Sequence, residues 1–142
     1  MARHTFRCPM RWSDMDAYQH VNNVVYLAYL EEARVDMLWH AARQAGISKL
    51  EQGMLVARHE IDYRRPLVYH PDGVDITVWV TRIGGAHFDL RYVVHDDETT
   101  FARAGSRIVP FDLDTERPRR VNPQEKSFLS IYLEPEDPVT RR

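Results

Sequence analysis

A cluster of short polar side chains has the composition to do chemistry on a carbonyl group. Asp14, Asp16, His20, Asn22 and Asn23 fall within ten positions, directly before a long helical pattern. The first turn of a helix carries unpaired N–H groups and partial positive charge. A carboxylate held beside those groups can act on a carbonyl whose oxygen they polarise. This segment is therefore the first candidate for a functional site.

The cluster lies where one predicted element ends and the next begins. Residues 4–12 alternate loosely between apolar and polar types, which predicts a first strand. Over residues 24–45, apolar side chains recur at helical spacing, which predicts one long amphipathic helix. Asn22 or Asn23 is suited to cap the start of that helix, and Gly46 to end it. A strand end and a helix start would therefore hold the polar cluster between them.

Four further strands are predicted after the helix. Apolar residues alternate in each, and turn residues such as Gly84-Gly85 mark hairpins, so most of the sheet should be antiparallel. One long helix with a single apolar stripe must bury that stripe against the sheet. The expected fold class is therefore α+β, with a curved antiparallel sheet of about five strands around one central helix. The strands are predicted over residues 54–63, 74–83, 86–94 and 99–111, and a short helix over residues 124–133.

The two faces of the sheet receive separate predictions. The outer face keeps Trp79 and Val93, and this apolar character suggests self-association. The inner face in the last long strand carries small side chains, which would let the helix approach closely. In the strand over residues 54–63, the alternation predicts that one face is shared by Leu55, Ala57, His59, Ile61 and Tyr63.

The composition is that of an ordinary globular protein. The length of 142 residues fits one domain over residues 1–142, with residues 134–142 expected to form a flexible tail. The net charge of −2 gives no basic footprint for nucleic acid and no polybasic patch for a membrane. A single cysteine, Cys8, excludes an internal disulfide. The N-terminus lacks the apolar core of a signal peptide, so a cytoplasmic location is expected.

Several stretches carry a family resemblance that covers roughly residues 5–125. They read RWSDMD at 11–16, HVNN at 20–23, YLAYLEEAR at 26–34 and IDYRRPL at 61–67. The chain resembles the hotdog-fold acyl-CoA thioesterases of the 4-hydroxybenzoyl-CoA thioesterase type. It departs from that pattern at Gln19, where the family often has Gly, and at Asn23, where some relatives carry His. Gln19 could alter the conformation of the loop or narrow the entrance for the acyl group.

The resemblance implies a fold, a reaction and an assembly. The helix would be enclosed by the sheet, and two copies would join their sheets in a homodimer, with a homotetramer also open. The active sites would lie at the dimer interface, and no cofactor or metal would be needed. The reaction would be hydrolysis of an acyl-CoA to a carboxylate and free CoA. Asp16 would be the catalytic acid, and the Asn23 N–H would polarise the thioester carbonyl.

The mechanism implied by the resemblance leaves one alternative open. A carboxylate can attack a thioester to give a mixed anhydride, or it can deprotonate an attacking water. Asp16 could do either, because a thiolate leaves readily and needs no strong acid. We expect Asp14 to bond N–H groups of the loop. His20 and Asn22 are expected to position the loop, hold a water or contact the substrate.

Other residues would bind the substrate. Tyr26 is expected to line an acyl tunnel together with Tyr18 and Val21. The phosphates of CoA need surface cations. Arg65 is the favoured candidate, and the others considered are Arg64, Arg82 and Arg103.

Three rival interpretations stay open at this point. The first is a non-catalytic module that binds acyl-CoA or an acyl carrier. The second is a dehydratase, which would need a catalytic histidine. Only His20 or His59 could take that role, and His59 is better explained as a core histidine with one hydrogen bond. The third is a divalent metal on Asp14, Asp16 and His20, which the spacing disfavours because it is not that of a calcium loop. Glu31 is expected to pair with Arg34 at i,i+3, and Cys8 to be inert.

Overall fold

A curved antiparallel sheet wraps around one long helix in the computed structural model, which describes residues 2–47, 50 and 53–136. The strand order is β1-β3-β4-β5-β2, with β6 paired to β5. This confirms the predicted α+β class. The strands are β1 (His4–Cys8), β2 (Met54–Tyr63), β3 (Val74–Ile83), β4 (Phe88–His95), β5 (Thr100–Asp112) and β6 (Arg117–Pro118). The helices are α1 (Val25–Val35), α2 (Ala42–Gln44) and α3 (Pro123–Ile131), with a π-helical segment at Asp36–Ala41 between α1 and α2.

The predicted apolar stripe of α1 is buried against the sheet. Tyr26, Leu30, Ala33 and Met37 recur at helical spacing and are all buried. Each large apolar side chain of this kind contributes roughly 1.5–3 kcal/mol when it leaves water. The central strands face the helix with alternate residues, and β5 contributes small ones, as predicted. The buried apolar side chains that alternate along the three central strands include Val74, Ile76, Val78, Val80, Phe88, Leu90, Tyr92, Val94, Ala102, Ala104 and Ile108.

Strand β2 lies at one edge of the sheet and pairs only with β5 among the strands that the structure describes. Its bounds match the prediction, but the predicted face is wrong for its first part. A bulge between Val56 and Arg58 resets the alternation. Val56 therefore lies opposite Ile108 on the helix side, and Leu55 points to the outer side and stays 47% exposed. His59 keeps its predicted face.

The outer face of the sheet is less apolar than the sequence suggested. Trp79 is only 9% exposed, because the Arg3 guanidinium lies 3.6 Å from the centre of its ring. The chain after α3 also runs along β3, where Glu134 N–H donates to the Val80 carbonyl at 2.8 Å. Glu134 then forms an ion pair with Arg3. The expectation that Trp79 leaves an open apolar patch is therefore wrong.

The predicted tail divides into two parts. Glu134 and Glu136 form ion pairs with Arg3 and Arg91, and residues 137–142 lie outside the described residues. None of the described helices is long and apolar enough to cross a membrane.

Candidate active site

The polar cluster of residues 11–23, called the polar loop below, is closed by its own backbone. A short 3-10 helix at Trp12–Asp14 turns the chain after β1. Asp16 N–H then donates to the His20 carbonyl at 3.0 Å, and Gln19 N–H donates to the Asp16 carbonyl at 2.9 Å. Gln19 adopts a φ of 62°, the left-handed region that Gly tolerates best. The departure from the family pattern therefore leaves a tight turn in place, at a backbone cost of about 1–2 kcal/mol.

Asp14 is a structural anchor of the polar loop. Its side chain is buried, and Oδ2 accepts hydrogen bonds from the Tyr29 hydroxyl at 2.7 Å and from the Arg11 N–H at 2.9 Å. This confirms the expected role in bonding a loop N–H and adds the link to α1. Burial and the bond to Asp14 raise the pKa of Tyr29, so the phenol stays a donor. Because Asp14 is buried, its carboxylate is not exposed to a substrate.

Asp16 points elsewhere and is only half-buried. Its Oδ1 accepts from the Tyr18 N–H at 2.9 Å, and its Oδ2 accepts from Asn22 Nδ2 at 3.0 Å. Both donors are neutral. A carboxylate has about four lone-pair positions, so two such bonds leave acceptor capacity at this group. Asp16 is thus fixed in place by neutral donors and can still approach a reacting atom.

Asn22 joins Asp16 to the start of the helix. Its Oδ1 accepts from the Val24 N–H at 2.9 Å, while its Nδ2 donates to Asp16. The Asn22 carbonyl also accepts from the Val25 N–H at 2.9 Å. These bonds close the turn over residues 22–25 that leads into α1. The N-cap position of α1 itself is Val24, which has no side-chain capping bond, so the prediction that Asn22 or Asn23 caps the helix is wrong. One side chain therefore connects the carboxylate with the N-terminal turn.

Asn23 lies in the turn directly before α1, and its N–H points from that turn. Within the part of the chain that the structure describes, this N–H donates to no protein atom. Unpaired donors of this kind at a helix start carry partial positive charge. The predicted carboxylate and the predicted N–H are therefore brought together through Asn22.

The sequence does not mark Tyr63 as a site residue, but the structure places it against the polar loop. It ends β2, and its hydroxyl donates to the Asn23 carbonyl at 2.8 Å. Its ring stacks on Tyr26 with ring centres 5.0 Å apart. The signal was present in the IDYRRPL stretch, but nothing in the chain order indicates a contact across 40 residues.

The other predicted site residues lie around the polar loop in different environments. Tyr26 is buried beneath Tyr63, and burial raises its pKa to about 12. Tyr18 is 83% exposed. The His20 side chain is exposed and contacts none of the described polar groups, while its backbone carbonyl holds Asp16. The structure therefore brings Tyr26 next to the site and leaves the His20 ring pointing to solvent.

Arg65 lies in a group of three arginines on the far side of Tyr63. Arg64, Arg65 and Arg103 line an open cleft of about 510 Å³ together with Glu98 and two threonines, so cations outnumber carboxylates three to one in its lining. The N–H groups of Arg64 and Arg65 both donate to the Phe101 carbonyl, at 2.8 and 3.1 Å, which fixes the backbone there. The segment then reaches Leu67, whose carbonyl accepts from the Val21 N–H of the polar loop at 2.7 Å. The cationic cleft is thus connected to the candidate site by a short, anchored segment.

Three residues that were expected to have no part in the chemistry have the environments predicted for them. His59 Nδ1 lies 2.6 Å from Ser106 Oγ, and burial, followed by the charge of Arg34, lowers its pKa. Arg34 Nη2 lies 4.0 Å from the Glu31 carboxylate, the predicted i,i+3 pair. Burial raises the pKa of Cys8 to about 12, which removes the thiolate needed for reactivity.

The metal hypothesis finds no support in the arrangement of side chains. Asp14 and Asp16 point to different partners. Across residues 2–47, 50 and 53–136, no three His, Cys, Asp or Glu side chains converge as metal ligands would.

Comparison with known proteins decides the family. The family model described as the thioesterase-like superfamily matches residues 10–130, which include the polar loop, α1 and the sheet. The chain belongs to the thioesterase-like superfamily. The long-chain acyl-CoA thioesterase FadM of Escherichia coli is 33% identical over 110 residues, or 76% of this chain and 83% of the relative.

Solved structures agree with this assignment. A predicted thioesterase from Bacillus stearothermophilus has a TM-score of 0.80 at 25% identity, covering 96% of this chain and all of the other. A thioesterase from Thermus thermophilus, complexed with coenzyme A and Zn, has a TM-score of 0.74 at 28% identity, covering 90% of this chain and 92% of the other. The predictions of a hotdog fold and of a thioester hydrolase are confirmed.

Proposed function

We propose that this thioesterase hydrolyses an acyl-CoA to a carboxylate and free CoA, with Asp16 as the catalytic carboxylate. The observation that carries the proposal is the Asn22 side chain, which binds Asp16 on one side and the Val24 N–H, in the turn before α1, on the other. A thioester carbonyl placed between them meets an oxygen with spare lone pairs and an unpaired N–H. This is the pairing that acyl transfer requires.

Two routes use this geometry, and the proposal keeps both. In the first, an Asp16 oxygen bonds to the carbonyl carbon, the C–S bond breaks, CoA leaves as a thiolate, and water hydrolyses the mixed anhydride. In the second, Asp16 takes a proton from a water whose oxygen bonds to the carbonyl carbon; the C–S bond then breaks, and CoA leaves as a thiolate that takes up the proton from Asp16. In either route the Asn23 N–H stabilises the negative charge that develops on the carbonyl oxygen.

Acyl-CoA is favoured as the substrate by the relatives and by the arginine cleft. FadM is named as a long-chain acyl-CoA thioesterase, and the Thermus thermophilus relative was solved with coenzyme A. Arg65, with Arg64 and Arg103, supplies cations beside the site, and guanidinium groups suit phosphate. We assign the CoA phosphates to this cleft and the acyl group to the side of Tyr26 and Val21.

We also propose that the protein forms a homodimer through β2, with a homotetramer as a further step. Beyond its pairing with β5, no other described strand lies along β2, so this edge offers unpaired backbone groups over ten residues. Leu55, Val56 and Tyr63 are exposed along it. Size-exclusion chromatography with light scattering measures the state directly. The cytoplasmic location expected from the sequence stays a prediction.

The first prediction tests the catalytic carboxylate. Thiol release is measured with a panel of acyl-CoAs for the wild type and for Asp16→Asn. We expect turnover to fall by about a hundredfold or more, the scale for losing a positioned acid or base. Asp97→Asn, an exposed turn residue, is the matched control and keeps full activity. A folded Asp16→Asn protein with unchanged turnover would remove Asp16 from the chemistry. Binding of acyl-CoA by the wild type without thiol release would favour the non-catalytic alternative.

The second prediction tests the phosphate cleft. Arg65→Gln is compared with the wild type on an acyl-CoA and on the matching acyl-pantetheine, which lacks the phosphates. We expect KM for the acyl-CoA to rise by about tenfold, the loss of one charge-assisted contact, with kcat unchanged. KM for the acyl-pantetheine should not change. An equal rise for both substrates would show that Arg65 does not read phosphate.

A further inference from the structure

The peptide group between Asn23 and Val24 is anchored at both of its polar ends. Its carbonyl oxygen accepts a hydrogen bond from the Tyr63 hydroxyl at 2.8 Å. Its N–H, on Val24, donates to Asn22 Oδ1 at 2.9 Å. A peptide group is planar, so bonds at both ends fix its orientation.

The preceding peptide group carries the N–H that the proposed function uses. Its carbonyl oxygen, on Asn22, accepts from the Val25 N–H at 2.9 Å. The only soft torsions between the two peptide groups are φ and ψ of Asn23. Anchoring the second group therefore restricts the direction of the Asn23 N–H while leaving that N–H open to a ligand.

The Tyr63 ring is built to hold its hydroxyl in place. It stacks on the buried Tyr26 at an interplanar angle of 23°. The strand end next to it is closed by the Arg64 and Arg65 N–H bonds to the Phe101 carbonyl. Burial raises the pKa of Tyr63, so the phenol remains a protonated donor at neutral pH. The bond to Asn23 thus joins the edge strand β2 to the start of α1.

We infer that Tyr63 is a positioning residue for thioester hydrolysis: it orients the Asn23 amide toward the carbonyl oxygen on which negative charge develops. The inference rests on the proposed function, because it needs the Asn23 N–H to contact that oxygen. Donors aimed at developing charge are among the largest contributions to catalysis. A small misalignment of such a group lowers the rate of the chemical step more than it lowers binding.

The third prediction tests this role with Tyr63→Phe, which removes the hydroxyl and keeps the stacked ring. We expect kcat to fall by about tenfold, the equivalent of one positioning hydrogen bond, with KM changed by less than about twofold. The control is Tyr132→Phe. Tyr132 is likewise a tyrosine packed against another ring, although it is less exposed than Tyr63, and its hydroxyl bonds to none of the described residues. Its kcat should equal that of the wild type.

A spectroscopic measurement separates positioning from folding. An isotope-labelled thioester is bound to Asp16→Asn protein, and the infrared band of its carbonyl is recorded. We expect the band to lie below that of the free thioester, and to move back toward it when Tyr63→Phe is added but not when Tyr132→Phe is added. Thermal unfolding of each variant shows that it is folded.

The outcomes distinguish this inference from the proposed function. If Asp16→Asn is inactive but Tyr63→Phe leaves kcat and the carbonyl band unchanged, the inference is wrong and the proposed function stands. A rise in KM alone would also overturn it, because Tyr63 would then contribute binding. If Asp16→Asn keeps its activity, the proposed function fails, and the inference fails with it.

Discussion

The polar loop and the outer face of the sheet both contain carboxylates, but the groups that bind these carboxylates differ between the two regions. On the outer face, Arg91 lies between Glu60 and Glu136, and Arg107 binds Asp89 with two nitrogens. Each carboxylate there meets a guanidinium. In the polar loop, Asp16 is held by amide groups, and Asp14 by a phenol and an amide, with the Arg11 guanidinium no closer than 3.7 Å.

The difference separates acids that stabilise a surface from an acid that can react. A guanidinium close to a carboxylate satisfies its lone pairs and its charge together. Neutral donors fix the position of Asp16 and leave its charge to act on whatever enters beside it. In the proposed mechanism, the Asn23 N–H supplies the complementary donor. The two regions can therefore be compared by removing one hydrogen-bonding or ion-pairing group from each and measuring the loss of stability.

The largest effect is expected at the buried anchor of the polar loop, which is the fourth prediction. Asp14→Ala leaves the Tyr29 hydroxyl and the Arg11 N–H without their acceptor. We expect the free energy of unfolding to fall by about 3 kcal/mol, since buried donors left unpaired cost roughly 1–3 kcal/mol each. Urea unfolding measures it.

Tyr29→Phe refines the same comparison. It removes only the phenol bond, and its expected loss is about 1 kcal/mol. If Asp14→Ala cost no more than the removal of an ion pair from the outer face, the buried bonds would not be the anchor of the loop.

The sequence predicts the elements well where hydrophobic alternation is strong. Strands β2 and β3 begin and end at the predicted residues, because each is a run of alternating side chains bounded by polar or turn residues. The buried stripe of α1 follows from its spacing in the same way. The bulge after Val56 escaped prediction, because it depends on how β2 pairs with β5 and not on the order of residues in β2.

The sequence indicates which residues belong to the candidate site, but not the hydrogen bonds that join them. Asp16 and Asn23 were identified from a motif at an element boundary. The bonds of the Asn22 side chain to Asp16 and to the Val24 N–H depend on side-chain rotamers that the sequence does not specify. The contact of Tyr63 with Asn23 depends on the closure of the sheet around the helix. The π-helical turn at Asp36–Ala41 was likewise predicted only as helix.

The smallest effect is expected on the outer face, which is the fifth prediction. Burial would raise the pKa of Asp89, but the hydrogen bond and charge of Arg107 outweigh it, and the pKa lies below its ordinary value of 3.8. A carboxylate with a lowered pKa stabilises the fold above pH 3.8, and this contribution is lost as the pH falls through the folded pKa. Arg107→Gln should therefore destabilise the protein by about 0.5 kcal/mol at pH 7, a typical value for an exposed pair.

The pH dependence and the activity of this variant complete the comparison. The difference in unfolding free energy between Arg107→Gln and the wild type should shrink as the pH falls from 3.8 through the lowered pKa of Asp89 in the folded wild type, because below that pKa Asp89 is protonated in both proteins. Thioester hydrolysis should be unchanged, since the pair lies on the face of the sheet away from α1. A stability loss as large as that of Asp14→Ala, or a fall in kcat, would mean that the outer face is coupled to the polar loop.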